Sequence, residues 1–272
     1  MSWSGNKKKY KNIIIPMCPK SYNTYIEPFL GSGSIFLAMR PAKWIINDLN
    51  TDLINTWLAV RNSPTRMINQ IKHMGDIFVT MSVNEKMAFC KQIAKDLNTL
   101  PHGLKRVVYF TLLKFCSFMG VIMKKGSFVF PGLDHFHIKF PGKSPWYFRE
   151  EYFQNLRVIS KYLKTGDIFN RDYKDILKMA KKGDFVFLDP PYIEDHDYGF
   201  NYNSGEILNE GFINGLYKEV QKLDKRRVNW LMTQADTPFI RKTFEKYMIS
   251  ETRVYRAARK DYATELIIRN YQ

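Results

Sequence analysis

Six strand-like runs punctuate the chain, several of them apolar on consecutive residues: TYIEPF (24–29), KWIINDL (43–49), DFVFLDPPY (184–192), RVNWLMTQ (227–234), MISETRVYR (248–256) and TELIIRNY (264–271). Unbroken apolar runs of this length mark strands covered on both faces. Between them, TDLINTWLAVRN (51–62) and EGFINGLYKEVQKLDKRR (210–227) carry apolar residues at helical spacing, the second with a basic end. Strand alternating with helix predicts a mostly parallel, layered α/β sheet. The middle of the chain breaks this rhythm. EKMAFCKQIAKDLNTL and GLKRVVYFTLLKFCSFMGVIM read as helices, and KKGSFVFPGLDHFHIKFPGKSPWYFREEYF mixes Gly, Pro, His, Lys and aromatics as a hairpin or ordered loop does. The pattern divides the chain into a discontinuous α/β core (1–56 and 161–272) around an inserted region (57–160).

Composition adds a partner. The 272 residues are 45% hydrophobic and 15% aromatic, the make-up of a folded chain with a sizeable core. Forty-two basic residues against twenty-six acidic ones leave a formal +16, an excess that attracts polyanions, nucleic acid foremost. Cys18, Cys90 and Cys116 are three, far apart and without a CxxC pair, which argues against a disulfide framework and against zinc. MSWSGNKKKYKN is too polar for a secretion signal, and no apolar run approaches the length of a membrane span. A soluble, cytoplasmic protein with no membrane partner and no metal is expected.

EPFLGSGSIF (27–36) follows a short strand and opens a helix, and Gly31 and Gly33 allow the sharp turn that brings backbone close to a ligand. The strand IINDLN (45–50) ends at Asp48, about 20 residues after Glu27, where an acid can accept hydrogen bonds from ribose hydroxyls. The third glycine of a dinucleotide fingerprint is replaced by Phe36, and the acidic Glu27 favours a cation over a phosphate. A ligand with an adenosine end and a positively charged, amino-acid-like end fits, and S-adenosylmethionine has both.

At Asp189-Pro190-Pro191-Tyr192 an apolar strand ends on an acid, at the sheet edge where open α/β folds place ligands. The prolines stiffen the backbone and remove two N–H donors but keep their carbonyls. A carboxylate and the Pro190 carbonyl can each accept one N–H of a nucleobase amine, turning its lone pair toward an electrophile. Tyr192 offers a stacking face. A base in a duplex must first leave the stack to reach such a site.

These motifs resemble, in order, those of the Dam-type adenine-N6 DNA methyltransferases. WSGNKKKY (3–10) is similar to the family's N-terminal cofactor motif, YIEPFLGSGSIF to its methionine-binding turn, INDLN to its ribose acid, and TGDIF (165–169) to the border of the cofactor adenine. DPPY is similar to its catalytic motif, and LMTQADTPFI (231–240) and ATELIIRNY (263–271) to its closing strands. The resemblance covers nearly the whole chain. It implies a Rossmann-like methyltransferase sheet of seven strands, the last antiparallel, and S-adenosyl-L-methionine as cofactor. Trp3, Gly5 and Lys7 would contact the cofactor; Glu27, Pro28, Phe29, Gly31 and Gly33 would line its methionine end; Asp48 would bind its ribose. Asp167 and Ile168 would border its adenine, and Asp189 would stand where cofactor and target amine meet.

The resemblance makes the insert a target-recognition region on double-stranded DNA. There FCSFMGVIMKKGSFVFP (115–131) departs from the family. Its usual arginine and asparagine are replaced, with Lys114 and Ser117 near those places, so the GATC target does not carry over. Lys114, Lys124, Lys125 and Lys139 are the expected DNA contacts, and Phe128 and Phe130 either fill the gap left by a flipped base or pack the hairpin. His135 and His137 read as surface or DNA-facing. EDHDYGFNY (194–202) reads as a flap in which Tyr198, Phe200 or Tyr202 closes over the base. A monomer or weak dimer is expected, and a cognate restriction endonuclease is compatible with the family. The alternatives are another amine acceptor (cytosine N4, RNA adenine, a protein amide) and a catalytically idle DNA-binding relative. A dinucleotide oxidoreductase fails on the missing glycine.

Overall fold

The computed structural model describes residues 7–120, 122–124, 126–140, 142–192, 209–256 and 261–272. It divides into two compact units, residues 50–165 and residues 5–49 with 166–272. The strands in chain order are β1 (Tyr25–Glu27), β2 (Trp44–Asn47), β3 (Met123–Lys124), β4 (Ser127–Phe128), β5 (Asp167–Phe169), β6 (Phe185–Leu188), β7 (Asn229–Ala235), β8 (Met248–Arg256) and β9 (Asp261–Arg269).

The discontinuous unit is built on one seven-stranded sheet in the order β5-β2-β1-β6-β7-β9-β8. The first five are parallel neighbours, and β9 runs antiparallel to β7 and β8 on either side. The six strand-like runs all contribute strands to this sheet. The seventh strand, β5, has only three residues, too few for a periodicity to show. β6 is buried at every position, as a central strand covered on both faces must be. Ile213, Leu216, Val220 and Leu223 of the helix Glu210–Lys225 recur at three- and four-residue spacing and close over Val186, Leu188, Trp230 and Met232. Asn209 starts that helix by accepting the Phe212 N–H.

In the unit of residues 50–165, helices Thr51–Asn62, Pro64–Thr80, Val83–Leu97, Leu104–Cys116 and Glu150–Tyr162 surround a second apolar cluster that includes Phe78, Ile93, Leu97, Phe110 and Leu113. β3 and β4 form a two-residue-per-strand hairpin beside it. Ser82 and Glu85 form a reciprocal cap at the start of the third of these helices. The boundary read at residue 56 falls inside the helix Thr51–Asn62, and the whole helix belongs to this unit. Its Asp52 carboxylate takes two hydrogen bonds from Arg106, at 2.5 and 2.9 Å, and Arg106 also donates to the Leu97 and Leu100 carbonyls. No described helix is long and apolar enough to cross a membrane.

Candidate active site

β2, β1 and β6 are adjacent and parallel, so their carboxyl ends open on one edge of the sheet. Each ends on an acid: Asp48 follows β2, Glu27 closes β1, and Asp189 follows β6. The turn after β1 is pinned to its neighbour. Leu30 N–H donates to the Asn47 carbonyl at 2.8 Å, and Gly31 N–H donates to Asp48 Oδ2 at 2.9 Å. Gly31 and Gly33 have φ of 49° and 64°, the left-handed region that a side chain resists. The buried Asn47 amide donates to the Pro28 and Arg171 carbonyls and accepts the Arg171 N–H. Asn170 donates to the Asp48 and Leu49 carbonyls. The glycine turn, the end of β2 and the segment after β5 are thereby fastened together.

Glu27 is 2% exposed and accepts the Tyr25 hydroxyl at 2.6 Å. Burial pushes its carboxyl well above the usual range. The hydrogen bond from Tyr25 opposes that rise, the negative Asp189 adds to it, the Phe36 N–H opposes it, and Asp48 adds to it again. Glu27, Asp48 and Asp189 place three acidic side chains at one strand edge, a setting that suits a cation. The sulfonium and ammonium of S-adenosylmethionine supply that charge, and the acid beside the glycine turn suits its ribose, so the residues present fit the cofactor.

Asp189 is held from two sides. Thr233 on β7 donates its hydroxyl to Asp189 Oδ1 at 2.7 Å, and Lys7 Nζ stands 2.9 Å from the same oxygen. Lys7 lies in the turn Lys7–Lys9 and its side chain is 6% exposed. Burial pulls its ammonium toward the neutral form, but Asp189, Tyr192 and Glu265 together outweigh that and leave its pKa well above the ordinary lysine value. The ammonium sits over the Tyr192 ring, 4.7 Å from its centroid. Tyr192 donates its hydroxyl to Glu265 Oε2 at 3.0 Å, and the same oxygen is 3.9 Å from Lys7 Nζ.

The structure thus brings together Lys7, Glu27, Asp48, Asp189 and Tyr192 of the expected site. Pro28 is buried in the turn, and Pro190 and Pro191 carry the chain from Asp189 to Tyr192. Phe29 packs its ring on Tyr173 and Phe212, at centroid distances of 5.2 and 6.5 Å, as part of the core. Asp167 and Ile168 lie on β5 next to β2, Asp167 exposed and Ile168 half-buried. Trp3, Gly5, Tyr198, Phe200 and Tyr202 lie outside the described residues. Thr233 and Glu265 were not foreseen. A lone acid inside the apolar run TELIIRNY was the available signal for Glu265.

In the other unit two expectations are corrected. Lys114 is not a surface cation: it is buried at the end of the helix Leu104–Cys116, where Val108 through Cys116 is almost wholly buried, and its ammonium donates to the Gly120 carbonyl at 2.6 Å. Burial pushes its pKa down to about 8. His137 is not a surface group either. Asp134 caps the short helix His135–Lys139 and His137 turns inward, hydrogen-bonded to the Tyr147 hydroxyl and edge-on to Phe78 at 5.1 Å. His135 is exposed. Phe128 is in the core, 6.2 Å from the Phe110 centroid, and Phe130 packs half-buried on the same cluster. Lys139 is exposed, its ammonium 5.6 Å from the Phe140 centroid. Lys124 lies in β3, and Lys125 is outside the described residues.

A parallel sheet closed by an antiparallel β9, with a glycine turn after β1, an acid after β2 and a carboxylate-proline-proline-tyrosine after β6, is the fold of an S-adenosylmethionine-dependent methyltransferase. The family model described as D12 class N6 adenine-specific DNA methyltransferase matches residues 3–259, and the chain belongs to that family. Its relatives include the Type II methyltransferase M.MjaIII of Methanocaldococcus jannaschii, 28% identical over 100% of this chain and 98% of the relative. The Type II methyltransferase M1.LlaDCHI of Lactococcus lactis subsp. cremoris is 24% identical over 99% of this chain and 94% of its own. The DNA adenine methylase of Haemophilus influenzae is 23% identical over 94% and 86%. The chain is an adenine-specific DNA methyltransferase that uses S-adenosylmethionine.

Proposed function

We propose that the chain methylates adenine N6 at a specific site in double-stranded DNA, on a base flipped out of the duplex to Asp189-Pro190-Pro191-Tyr192. The observation that carries this reading is the Asp189 carboxylate, held by Thr233 at 2.7 Å and Lys7 at 2.9 Å at the end of the central strand β6. Asp189 and the Pro190 carbonyl each accept one N–H of the adenine amine, which draws the nitrogen toward tetrahedral geometry and frees its lone pair. Tyr192 gives the base a stacking face. S-adenosylmethionine, when bound, supplies a methyl group on a sulfonium. Glu27, Gly31, Gly33 and Asp48 would hold its methionine end and ribose, and Asp167 and Ile168 would border its adenine. Asp189 acts by orientation and charge. It needs no strength as a base, because the newly methylated amine is acidic until it releases its extra proton to solvent.

The helical unit with its β3–β4 hairpin reads the target, with the exposed Lys139 on phosphate. Two relatives bear the name Type II methyltransferase, which supports a place beside a cognate restriction endonuclease. Incubating the protein with S-adenosylmethionine and mixed-sequence DNA, then mapping the modified bases, tests the whole reading. N6-methyladenine at one recurring sequence is expected. N4-methylcytosine, or adenine methylated at no recurring sequence, contradicts it.

A further inference from the structure

Tyr192 ends the catalytic tetrapeptide, yet the group that holds its hydroxyl lies 73 residues further along the chain. Glu265 is on β9, paired with Ala235 of β7 on one side and Thr252 of β8 on the other, so its backbone is fixed from both sides. Directly opposed residues of antiparallel strands share a face, and so do residues two apart on one strand. Glu265 therefore projects from the same face as Ala235 and Thr233. That one face carries the hydroxyl on Asp189 and the carboxylate on Tyr192. The Glu265 side chain is 12% exposed and directly precedes the buried Leu266, Ile267 and Ile268, and a carboxylate so placed is costly without partners. Its partners include the Tyr192 hydroxyl at 3.0 Å and the Lys7 ammonium at 3.9 Å, both of them groups of the methyl-transfer site.

We infer that Glu265 is a positioning residue for methyl transfer: it sets the Tyr192 ring for stacking and holds the Lys7 ammonium beside Asp189, acting through those two groups. The inference rests on the roles proposed above for Asp189 and Tyr192. It explains why the only acid between Asp261 and the end of the chain stands where β9 passes the catalytic loop. The acidic groups facing Lys7 include Asp189, Tyr192 and Glu265, which together hold its proton.

The test is single-turnover methyl transfer to duplex DNA by the full chain, with the variants Glu265→Ala, Glu265→Gln, Tyr192→Phe, Glu265→Ala/Tyr192→Phe and Asp189→Ala. Glu265→Ala is expected to slow transfer about tenfold or more, the scale of a hydrogen bond to a charged group, with S-adenosylmethionine affinity within about twofold of wild type. Tyr192→Phe keeps the ring but frees it from Glu265, so the double variant loses less than the product of the two single losses. Glu265→Gln keeps an acceptor for the Tyr192 hydroxyl without the charge, so it is expected to restore part of the rate lost in Glu265→Ala but to stay several-fold below wild type. A Glu265 that merely supported the fold would lower the melting temperature of both variants and leave the single-turnover rate of the folded protein unchanged. A Glu265→Ala rate within about twofold of wild type overturns the inference, and so do fully multiplicative losses in the double variant. If Glu265→Ala does not fold, the Glu265→Gln rate decides alone, and a rate within about twofold of wild type overturns the inference. Asp189→Ala separates the two levels. Wild-type turnover in that variant overturns the reading of the site itself, whereas an inactive Asp189→Ala beside a normal Glu265→Ala overturns only the role of Glu265.

Discussion

Asp189 and Thr233 are joined by a 2.7 Å hydrogen bond between the residue that leaves β6 and the middle of the neighbouring strand β7. The bond ties the catalytic carboxylate to a rigid element, not to the loop that follows it. Thr233→Val, which keeps the shape and removes the hydroxyl, should slow methyl transfer about tenfold while leaving DNA and cofactor affinity near wild type. Thr233→Ser should restore most of the rate. Equal rates for the valine and wild-type enzymes in a single-turnover assay would show that the hydroxyl does not orient Asp189.

Asp189→Ala should abolish methylation, a loss of at least about a thousandfold. Affinity for DNA should stay largely intact, because phosphate contacts made elsewhere supply most of it. Gel-shift titrations run beside a methylation assay would report both. Turnover like that of the wild type would remove Asp189 from the chemistry.

The acid that closes β1 should set stability against binding. Glu27 is buried and its pKa in the folded chain lies well above 4.5, so the folded state binds its proton more tightly than the unfolded state does. Its contribution is fully present below pH 4.5 and is lost as the pH rises through the folded value. Glu27→Gln should therefore raise the melting temperature of the ligand-free protein at pH 8, and the gain should fade toward pH 4. The same change should weaken S-adenosylmethionine binding about tenfold or more, read by calorimetry, because a cation loses its partner. A variant that binds normally would contradict the role given to Glu27.

His137 gives the helical unit an acid sensitivity. Its pKa is lowered from 6.5 to about 4, by burial first and then by the nearby Lys86 charge, against a smaller opposing pull from Asp134. The unfolded chain takes up a proton that the folded one refuses. Stability is full above pH 6.5 and falls as the pH drops toward about 4. The slope from this one group is at most about 1.4 kcal/mol per pH unit. Denaturant titrations at a series of pH values should show that slope in the wild type and a shallower one in His137→Gln.

Lys114→Met should leave the salt dependence of DNA binding unchanged, because that ammonium is spent on the Gly120 carbonyl. Lys139→Ala should lower the slope of log affinity against log salt by about 1, the signature of one lost phosphate contact. A lower slope for Lys114→Met would place that side chain at the DNA after all.

How far the sequence reveals this arrangement depends on where each contact is written. The helix Thr51–Asn62 and the strand β6 show in local periodicity, and Asp189 shows because an apolar run stops on it. The sheet order, in which β1 lies between β2 and β6, does not follow from periodicity. Thr233 has no local signal of function, and Glu265 only that of a lone acid in an apolar run, since their roles depend on the pairing of β7 with β9. Lys114 misleads for the opposite reason. A lysine at a helix end reads as exposed, yet here Val107 and Val108, Phe110 to Leu113, and Phe115 and Cys116 are all buried around it, so no solvent face remains for the side chain to reach. His137 is hidden in the same way, by the inward turn that the Asp134 cap imposes on a five-residue helix.

The helical unit enters the chain at Asn50, just past β2, and leaves at Thr165, just before β5. Those two strands are parallel neighbours in the sheet. Topologically, more than a hundred residues are one oversized crossover connection between adjacent strands. Such a connection can be exchanged for another without changing a single rung of the sheet or moving any of the acids at its edge. A lineage built on this plan can acquire a new vocabulary while its chemistry stands still.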